Sequence, residues 1–349
     1  MEIDQPAAVR QGEELDLKAL NRFLLERTEI GPILMQKQFP GGYSNLTYLI
    51  TTGQKEYILR RPPFGAAIKS AHDMGREFKV LSAVKPHYKK VPQPVILCDD
   101  LGVLNAPFYI MEKISGVILR PSMAKEIRIA PASMKEISET LIDNLALLHS
   151  INITATGLDQ LGKPEGYIQR QVEGWGKRYV NAQTDKIDSL NSVIQWLSVN
   201  MPAETAPVLL HNDYKYDNLV LDANNMNTIV GVLDWEMATI GDPWMDVGAS
   251  LAYWAEAGDD PLAKVFNISW LPGNLTRREF VDRYMMKSGR SANPVFYYVF
   301  GLYKNAVIAQ QIYARWKQGH SKDPRFGQLI HVINNLGQRA LAAIAKDSI

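Results

Sequence analysis

The chain has 349 residues, with 38 Lys and Arg against 37 Asp and Glu, and its one cysteine is Cys98. A net charge of +1 offers no broad basic surface for nucleic acid or an anionic membrane. A lone cysteine excludes an internal disulfide framework and the usual cysteine-rich zinc sites.

That length can bury a substantial core and sets an expectation of two domains or lobes. Met1 to Asp16 is acidic and polar, without the basic start and apolar core of a signal peptide. No apolar run reaches the roughly 18 residues that span a bilayer. With the single cysteine, these features lead us to expect a cytoplasmic protein in a reducing compartment.

Asp16 to Glu26 carries Leu17, Leu20, Phe23 and Leu24 at helical spacing, which predicts a packing helix. From Met35 the period changes. Leu46 to Thr51 and Glu56 to Leu59 read as strands joined by a turn at Thr52-Gly53-Gln54. Ahead of them lies Phe39-Pro40-Gly41-Gly42-Tyr43-Ser44-Asn45. A Gly-Gly turn between strands lets backbone N–H groups approach a phosphate, because no Cβ intrudes; an ordinary hairpin explains the two glycines as well. The turn is neither a Walker loop nor a G-x-G-x-x-G fingerprint.

Tyr57-Ile58-Leu59-Arg60-Arg61 ends the second strand with two cations before Pro62-Pro63. Strand alternation places Arg60 with Ile58 and Arg61 with Leu59. Either is a candidate to face phosphates, Arg60 the favoured one, and a solvated edge pair is the alternative. Lys69 to Val84 reads as a helix whose Glu77 can pair with one of these guanidiniums or face solvent. Val95 to Cys98 continues the strand pattern, and Pro107 to Gly116 reads as a strand running into a polar, Gly-ended segment. That segment is either a lobe connection, whose main chain near Met111 to Lys113 would hydrogen-bond an adenine edge, or an ordinary strand and turn.

Helical patterns follow at Ser138 to Ser150, Tyr167 to Val180 and Leu190 to Asn200. His149 reads as a structural residue at a helix end. The next stretch organises the chain. His211-Asn212-Asp213-Tyr214-Lys215-Tyr216-Asp217-Asn218 has the form H-x-D-x-K-x-x-N between Val208-Leu209-Leu210 and Leu219-Val220-Leu221. Gly231-Val232-Leu233-Asp234-Trp235-Glu236 then puts Asp234 at the end of a second apolar run. Two acids and an amide at neighbouring strand ends suit phosphoryl transfer: one carboxylate orients an acceptor hydroxyl, while another and an amide oxygen hold Mg²⁺ on the phosphates. Asp242 and Asp246 flank a tight turn, Asp246 opening an apolar helix at Val247 to Trp254, and both are read as caps and braces of the loop. The remaining segments, Arg277 to Lys287, Pro294 to Arg315 and Phe326 to Ala345, are helical. Tyr303, Gln310, Gln311, Tyr313 and Arg315 are candidates to line an acceptor cleft or to sit in the core.

Taken together, these residues resemble the aminoglycoside phosphotransferase, choline-kinase-like family. Within it, the chain is most similar to the phosphotransferase domain attached to, or encoded beside, acyl-CoA dehydrogenases. The likeness runs from about Met35 to Arg315. Its carriers are the H-x-D-x-K-x-x-N run combined with Leu233-Asp234-Trp235-Glu236; Tyr57-Ile58-Leu59-Arg60-Arg61-Pro62-Pro63 and Ile240-Gly241-Asp242-Pro243 mark the subgroup.

The resemblance implies an α+β, protein-kinase-like two-lobe fold. A small β-rich nucleotide-binding lobe would span residues 1–113, and a larger, mostly helical lobe residues 114–349. It implies Asp213 as catalytic base with Lys215 beside it, Asn218 and Asp234 as Mg²⁺ ligands, and His211 as a brace. ATP would contact Gly42, Tyr43, Ser44, Asn45, Arg60, Glu77, Glu112 and Ile114. The implied activity is ATP- and Mg²⁺-dependent phosphorylation of a hydroxyl on a small molecule, with a hydroxyacyl-CoA thioester the first candidate. Aminoglycosides, amino alcohols and a non-catalytic nucleotide-binding module are the alternatives. Two departures stand out: arginine replaces the usual strand lysine, and the Gly-Gly loop is short. Only 11 residues separate Asp234 from Asp246, and no Ala-Pro-Glu follows, which disfavours a protein kinase.

Overall fold

The computed structural model describes residues 6–39, 45–53, 55–63, 74–321 and 323–349. The chain divides into two compact units, Met1–Ile118 with Val220–Ala238, and Leu119–Leu219 with Thr239–Ile349.

The first unit opens with α1 (Leu17–Arg27), whose Asp16 side chain accepts from the Lys18 and Ala19 N–H groups and so satisfies the first turn. Helical spacing puts Leu20 and Leu24 on its buried face. An antiparallel sheet follows, in the order β1 (Met35–Gln38), β2 (Leu46–Thr51), β3 (Glu56–Arg61), β5 (Phe108–Glu112) and β4 (Pro94–Cys98). Between β3 and β4 lies α2 (Met74–Val84), and α3 (Leu101–Leu104) precedes β5. Tyr48 opposite Leu59 and Ile50 opposite Tyr57 pack with Leu20, Leu24, Phe108 and Ile110 into one apolar core. Because strand side chains alternate, Ile58 and Arg60 point to the opposite face from that core.

The second unit begins at Leu119 and contains α4 (Pro131–His149), α5 (Ile153–Thr156), α6 (Tyr167–Ala182), α7 (Asp188–Val199) and β6 (Val208–Leu210). The chain then returns to the first unit through β7 (Leu219–Leu221) and β8 (Ile229–Val232). There Val117 pairs with Leu221, the Val232 N–H donates to Lys90 O at 2.6 Å, and Trp235 is buried edge-on to Tyr88 at 6.1 Å.

Re-entering the second unit, β9 (Thr239–Gly241) pairs antiparallel with β6. Asp242 then caps α8 (Pro243–Tyr253) by accepting from the Trp244 N–H, with proline at the first helical position, where no intrahelical donor is needed. A Thr276–Glu279 capping box starts α9 (Arg277–Ser288), and Gly289 at φ 68° ends it. The 23-residue α10 (Val295–Lys317) is buried along most of its length, packing on α6, α7, α8 and α11 (Leu329–Lys346). Gly248 of α8 and Gly301 of α10 allow the closest approach: a Cβ on Gly248 would collide with the backbone of Tyr297. Among the described residues no helix is long and apolar enough to cross a membrane.

Candidate active site

In the second unit, the loop from His211 to Asn218 leaves the fully buried strand β6. Two buried tyrosines anchor it. Tyr214 Oη donates to Leu141 O and accepts from Asn144 Nδ2, both at 2.9 Å. Tyr216 stacks on Trp254 at 5.6 Å and donates to Asn274 Oδ1 at 2.6 Å. Beneath the loop, Asp246 is completely buried. Its Oδ2 accepts from the His211 N–H at 2.7 Å and its Oδ1 from the Asn212 N–H at 2.8 Å. His149 bridges Asp246 Oδ2 at 3.2 Å and Tyr284 Oη at 2.7 Å. His211 Nδ1 accepts from the Asp213 N–H at 3.2 Å. His149, His211 and Asp246 thus sit where a buried network holds the loop's backbone, and Asp242 serves as a cap.

Both Asp213 carboxylate oxygens accept from Lys215 Nζ at 2.8 Å. Asn218 Nδ2 donates to Asp213 O at 2.8 Å and Oδ2 at 2.9 Å. Burial pushes the Asp213 carboxyl up, but Lys215, His211 and Lys304 outweigh it and hold the group below the usual carboxylate range. Burial works against the Lys215 ammonium, yet Asp213 and Tyr253 keep it firmly protonated. Lys215 Nζ also lies 4.6 Å from the Tyr253 ring centre. The site therefore presents an ionised carboxylate with a cation in contact.

In the first unit, Arg60 Nη1 meets Glu77 Oε1 at 2.6 Å and Asp234 Oδ1 at 3.3 Å, and Arg60 Nη2 lies 3.5 Å from Glu236 Oε2. Burial disfavours the Arg60 charge, but Glu77 leads the charges that retain it. Burial pushes the Glu77 carboxyl up, opposed by Arg60. The face argument explains the choice of arginine: Arg61, on the other side of β3, donates to Pro62 O. Asp234 follows β8 in the left-handed region at φ 64°, which turns the chain into the short helical turn Trp235–Met237. Asn45 Nδ2 donates to Glu236 Oε2 at 3.1 Å, and Arg76 donates to the carbonyls of Glu236 and Ala238.

Gly42, Tyr43 and Ser44 lie outside the described residues. Glu112 ends β5 with its N–H donated to Gln93 O at 2.9 Å. Ile114 packs against Gly231, where a Cβ would come within 2.8 Å of Ile114 Cδ1. Tyr303 and Gln310 are fully buried, and Gln310 donates to Ala182 O and Thr184 Oγ1, so both serve helix packing. Three residues were not singled out from the sequence: Lys304, Tyr253 and Arg76. A lysine within the apolar run of α10 was the available signal for Lys304.

Asn218 and Asp234, each taken by itself, offer the oxygen chemistry that a magnesium ion takes. Asn218 uses its N–H₂ group on Asp213, and among the described residues its Oδ1 accepts no hydrogen bond. Asp234 gives one oxygen to Arg60 and keeps the other, with a third of the side chain exposed. Hard oxygen donors in small number are what Mg²⁺ takes when phosphates and water supply the rest. Consistent with that sparse set, no group of three or more His, Cys, Asp and Glu among the described residues could hold a metal by itself.

Comparison with known proteins adds the following. The profile of the phosphotransferase enzyme family (APH) matches residues 36–281. Acyl-CoA dehydrogenase family member 10 of Mus musculus is 33% identical over 90% of this chain, and family member 11 of Homo sapiens is 29% identical over 96%. The chain spans only 30% and 44% of the length of these relatives. A crystal structure of a provisionally named aminoglycoside phosphotransferase from Ralstonia eutropha is 28% identical. It superimposes with a TM-score of 0.76, covering 94% of this chain and 99% of the other. The GDP and kanamycin complex of APH(2'')-IIIa, 15% identical, gives 0.62 over 92% and 98%; at that identity the likeness shows the fold alone. The fold is thus the protein-kinase-like α+β fold expected from the sequence.

Proposed function

Because the chain belongs to the phosphotransferase enzyme family, we propose that it transfers the γ-phosphoryl group of ATP to a hydroxyl of a small molecule. The observation that carries this reading is the ionised Asp213 carboxylate, fixed by Lys215 and Asn218 on a braced loop. Asp213 accepts a hydrogen bond from the acceptor hydroxyl, and the hydroxyl oxygen attacks phosphorus as the bond to ADP breaks. The proton passes to Asp213 late, as a loose transition state requires. Lys215 meets charge developing on the transferred group. In the first unit Arg60, oriented by Glu77, serves the nucleotide phosphates, with Asn45 and the main chain at Glu112 and Ile114 as further contacts. Asn218 and Asp234 are the residues assigned to Mg²⁺, which when bound would neutralise phosphate charge.

For the acceptor we propose a hydroxyacyl-CoA thioester, on the strength of relatives named acyl-CoA dehydrogenases. A polycationic aminoglycoside is a poorer match to Asp213, whose charge is already favoured by Lys215, His211 and Lys304. The test is ATP consumption by the purified chain with Mg²⁺ across hydroxyacyl-CoAs, aminoglycosides and amino alcohols. Acceptor-dependent ADP release with a hydroxyacyl-CoA supports the full reading. Release with another class keeps the kinase and replaces the acceptor. Nucleotide binding without turnover on any acceptor would favour a non-catalytic module.

A further inference from the structure

One charged side chain at the loop enters the chemistry above only by favouring the Asp213 charge. Lys304 lies in the interior of α10, 5% exposed. Its Nζ donates to the carbonyl of Asn212 at 2.8 Å, and the ammonium faces the Trp175 ring of α6, 5.9 Å from its centre. A buried ammonium is retained only where something offsets its desolvation. No carboxylate forms an ion pair with it among the described residues, although Asp213 and Asp246 both favour its charge while Lys215 and Arg178 oppose it.

What Lys304 grips is unusual. Asn212 stands in the left-handed region at φ 66°, an uncommon conformation for any residue but glycine, and one that needs support from its surroundings. That support comes from three sides. Its N–H donates to Asp246, its Oδ1 accepts from Tyr167 Oη at 3.3 Å, and its carbonyl accepts from Lys304. Asn212 directly precedes Asp213, so the peptide Lys304 holds is the one that aims the carboxylate.

We propose that Lys304 is a positioning residue for phosphoryl transfer: its ammonium clamps the Asn212 carbonyl, locks the left-handed turn and so orients Asp213. This rests on the reading of Asp213 as the base. A second consequence concerns charge. Burial brings the Lys304 ammonium down to about 8, with Asp213 and Asp246 opposing. A neutral amine would still donate to the Asn212 carbonyl, without the strength that the charge adds.

The test compares wild type with Lys304→Met, which keeps chain length without donor or charge, and Lys304→Gln, which keeps a donor. Hydrogen exchange is read at the amides of Asn212 and Asp213 and along α10 in the nucleotide-free protein. Turnover is read with the best acceptor. The expected result for Lys304→Met is exchange faster by about tenfold at those two amides, with α10 still protected. Turnover should fall by up to about 10²-fold with nucleotide KM unchanged, and Lys304→Gln should recover part of the protection. If Lys304→Met does not fold, Lys304→Gln carries the comparison, with a smaller rise in exchange at the same two amides and α10 still protected. Unchanged protection at Asn212 and Asp213, or loss spread evenly along α10, overturns the proposal. The exchange arm is independent of turnover, so an inactive protein would sink the kinase reading without deciding this one.

Discussion

The two units carry charge clusters of opposite composition. In the first, one guanidinium, Arg60, meets three carboxylates: Glu77, Asp234 and Glu236. In the second, one carboxylate, Asp213, is in contact with the Lys215 ammonium, with Lys304 adding positive charge nearby. An excess of acid suits a place where a divalent cation is to be added. A carboxylate held ionised by cations suits a base that must be ready for a proton at neutral pH. The contrast fits the proposed division, with the Arg60 cluster serving the nucleotide and Asp213 the transfer step, each cluster stabilised within its own unit.

The sharpest way to break this comparison is to exchange the effects of its two acids. Asp213→Asn should lower turnover by between about 10² and 10⁴-fold while leaving Mg-nucleotide affinity intact in a binding titration. Asp234→Ala should instead abolish tight Mg-nucleotide binding. If both variants weakened nucleotide equally, the division would be wrong.

Asp246→Ala comes next. It leaves the His211 and Asn212 N–H groups buried without their acceptor and strips His149 of a partner. The expected cost is about 3–5 kcal/mol in urea unfolding, with the Arg60 cluster untouched.

Arg60→Lys tests the first cluster more gently. A single ammonium lacks the planar fork that reaches Glu77 and Asp234 together. Nucleotide KM should rise by about tenfold, the scale of one charge-assisted hydrogen bond, and kcat should fall less.

The smallest effect is on stability against pH. Lys304 has a folded value of about 8 against an ordinary 10.5. Between those values the unfolded chain binds more protons, so this group makes stability rise with pH. Asp213 is held below its ordinary 3.8, so its contribution is present above that value and lost as pH falls through the folded one. Wild type minus Lys304→Met, compared by urea midpoints on either side of pH 8, should show the upward slope vanish in the variant.

Much of this was legible from residues. Period-two alternation put Arg60 and Arg61 on different faces without saying which face was the core, and helical spacing located α1, α6 and α9 closely. The start of α8 was placed late: the apolar run suggested that Asp246 opens a helix at Val247, whereas Asp242 caps it at Pro243 and Asp246 lies inside it. Asp213, Asn218 and Asp234 stood out because strand ends carrying those side chains have a narrow range of uses. The clamp on Asn212 was not legible. Its left-handed φ depends on Asp246, Tyr167 and Lys304, each separated from it by dozens of residues or more, and no local spacing records such support. Lys304 was hidden for a related reason: within a helix buried along most of its length, no polar face shows which neighbour its charge will meet.

The return of Val220–Ala238 to the first unit has a consequence for synthesis. When the ribosome has made Ile118, the sheet is complete in strands, but Tyr88 has no Trp235 and Lys90 O has no Val232 N–H. Between 114 and 117 further residues must be added before Val232 and Trp235 exist. We predict that a chain released at Ile118 is cut readily by protease near Tyr88, and that adding Val220–Ala238 as a separate peptide restores resistance. Protection without the peptide would show that the early sheet closes unaided. If the prediction holds, the nascent first unit waits exposed for the segment carrying Asp234, and its maturation is timed by translation of the second.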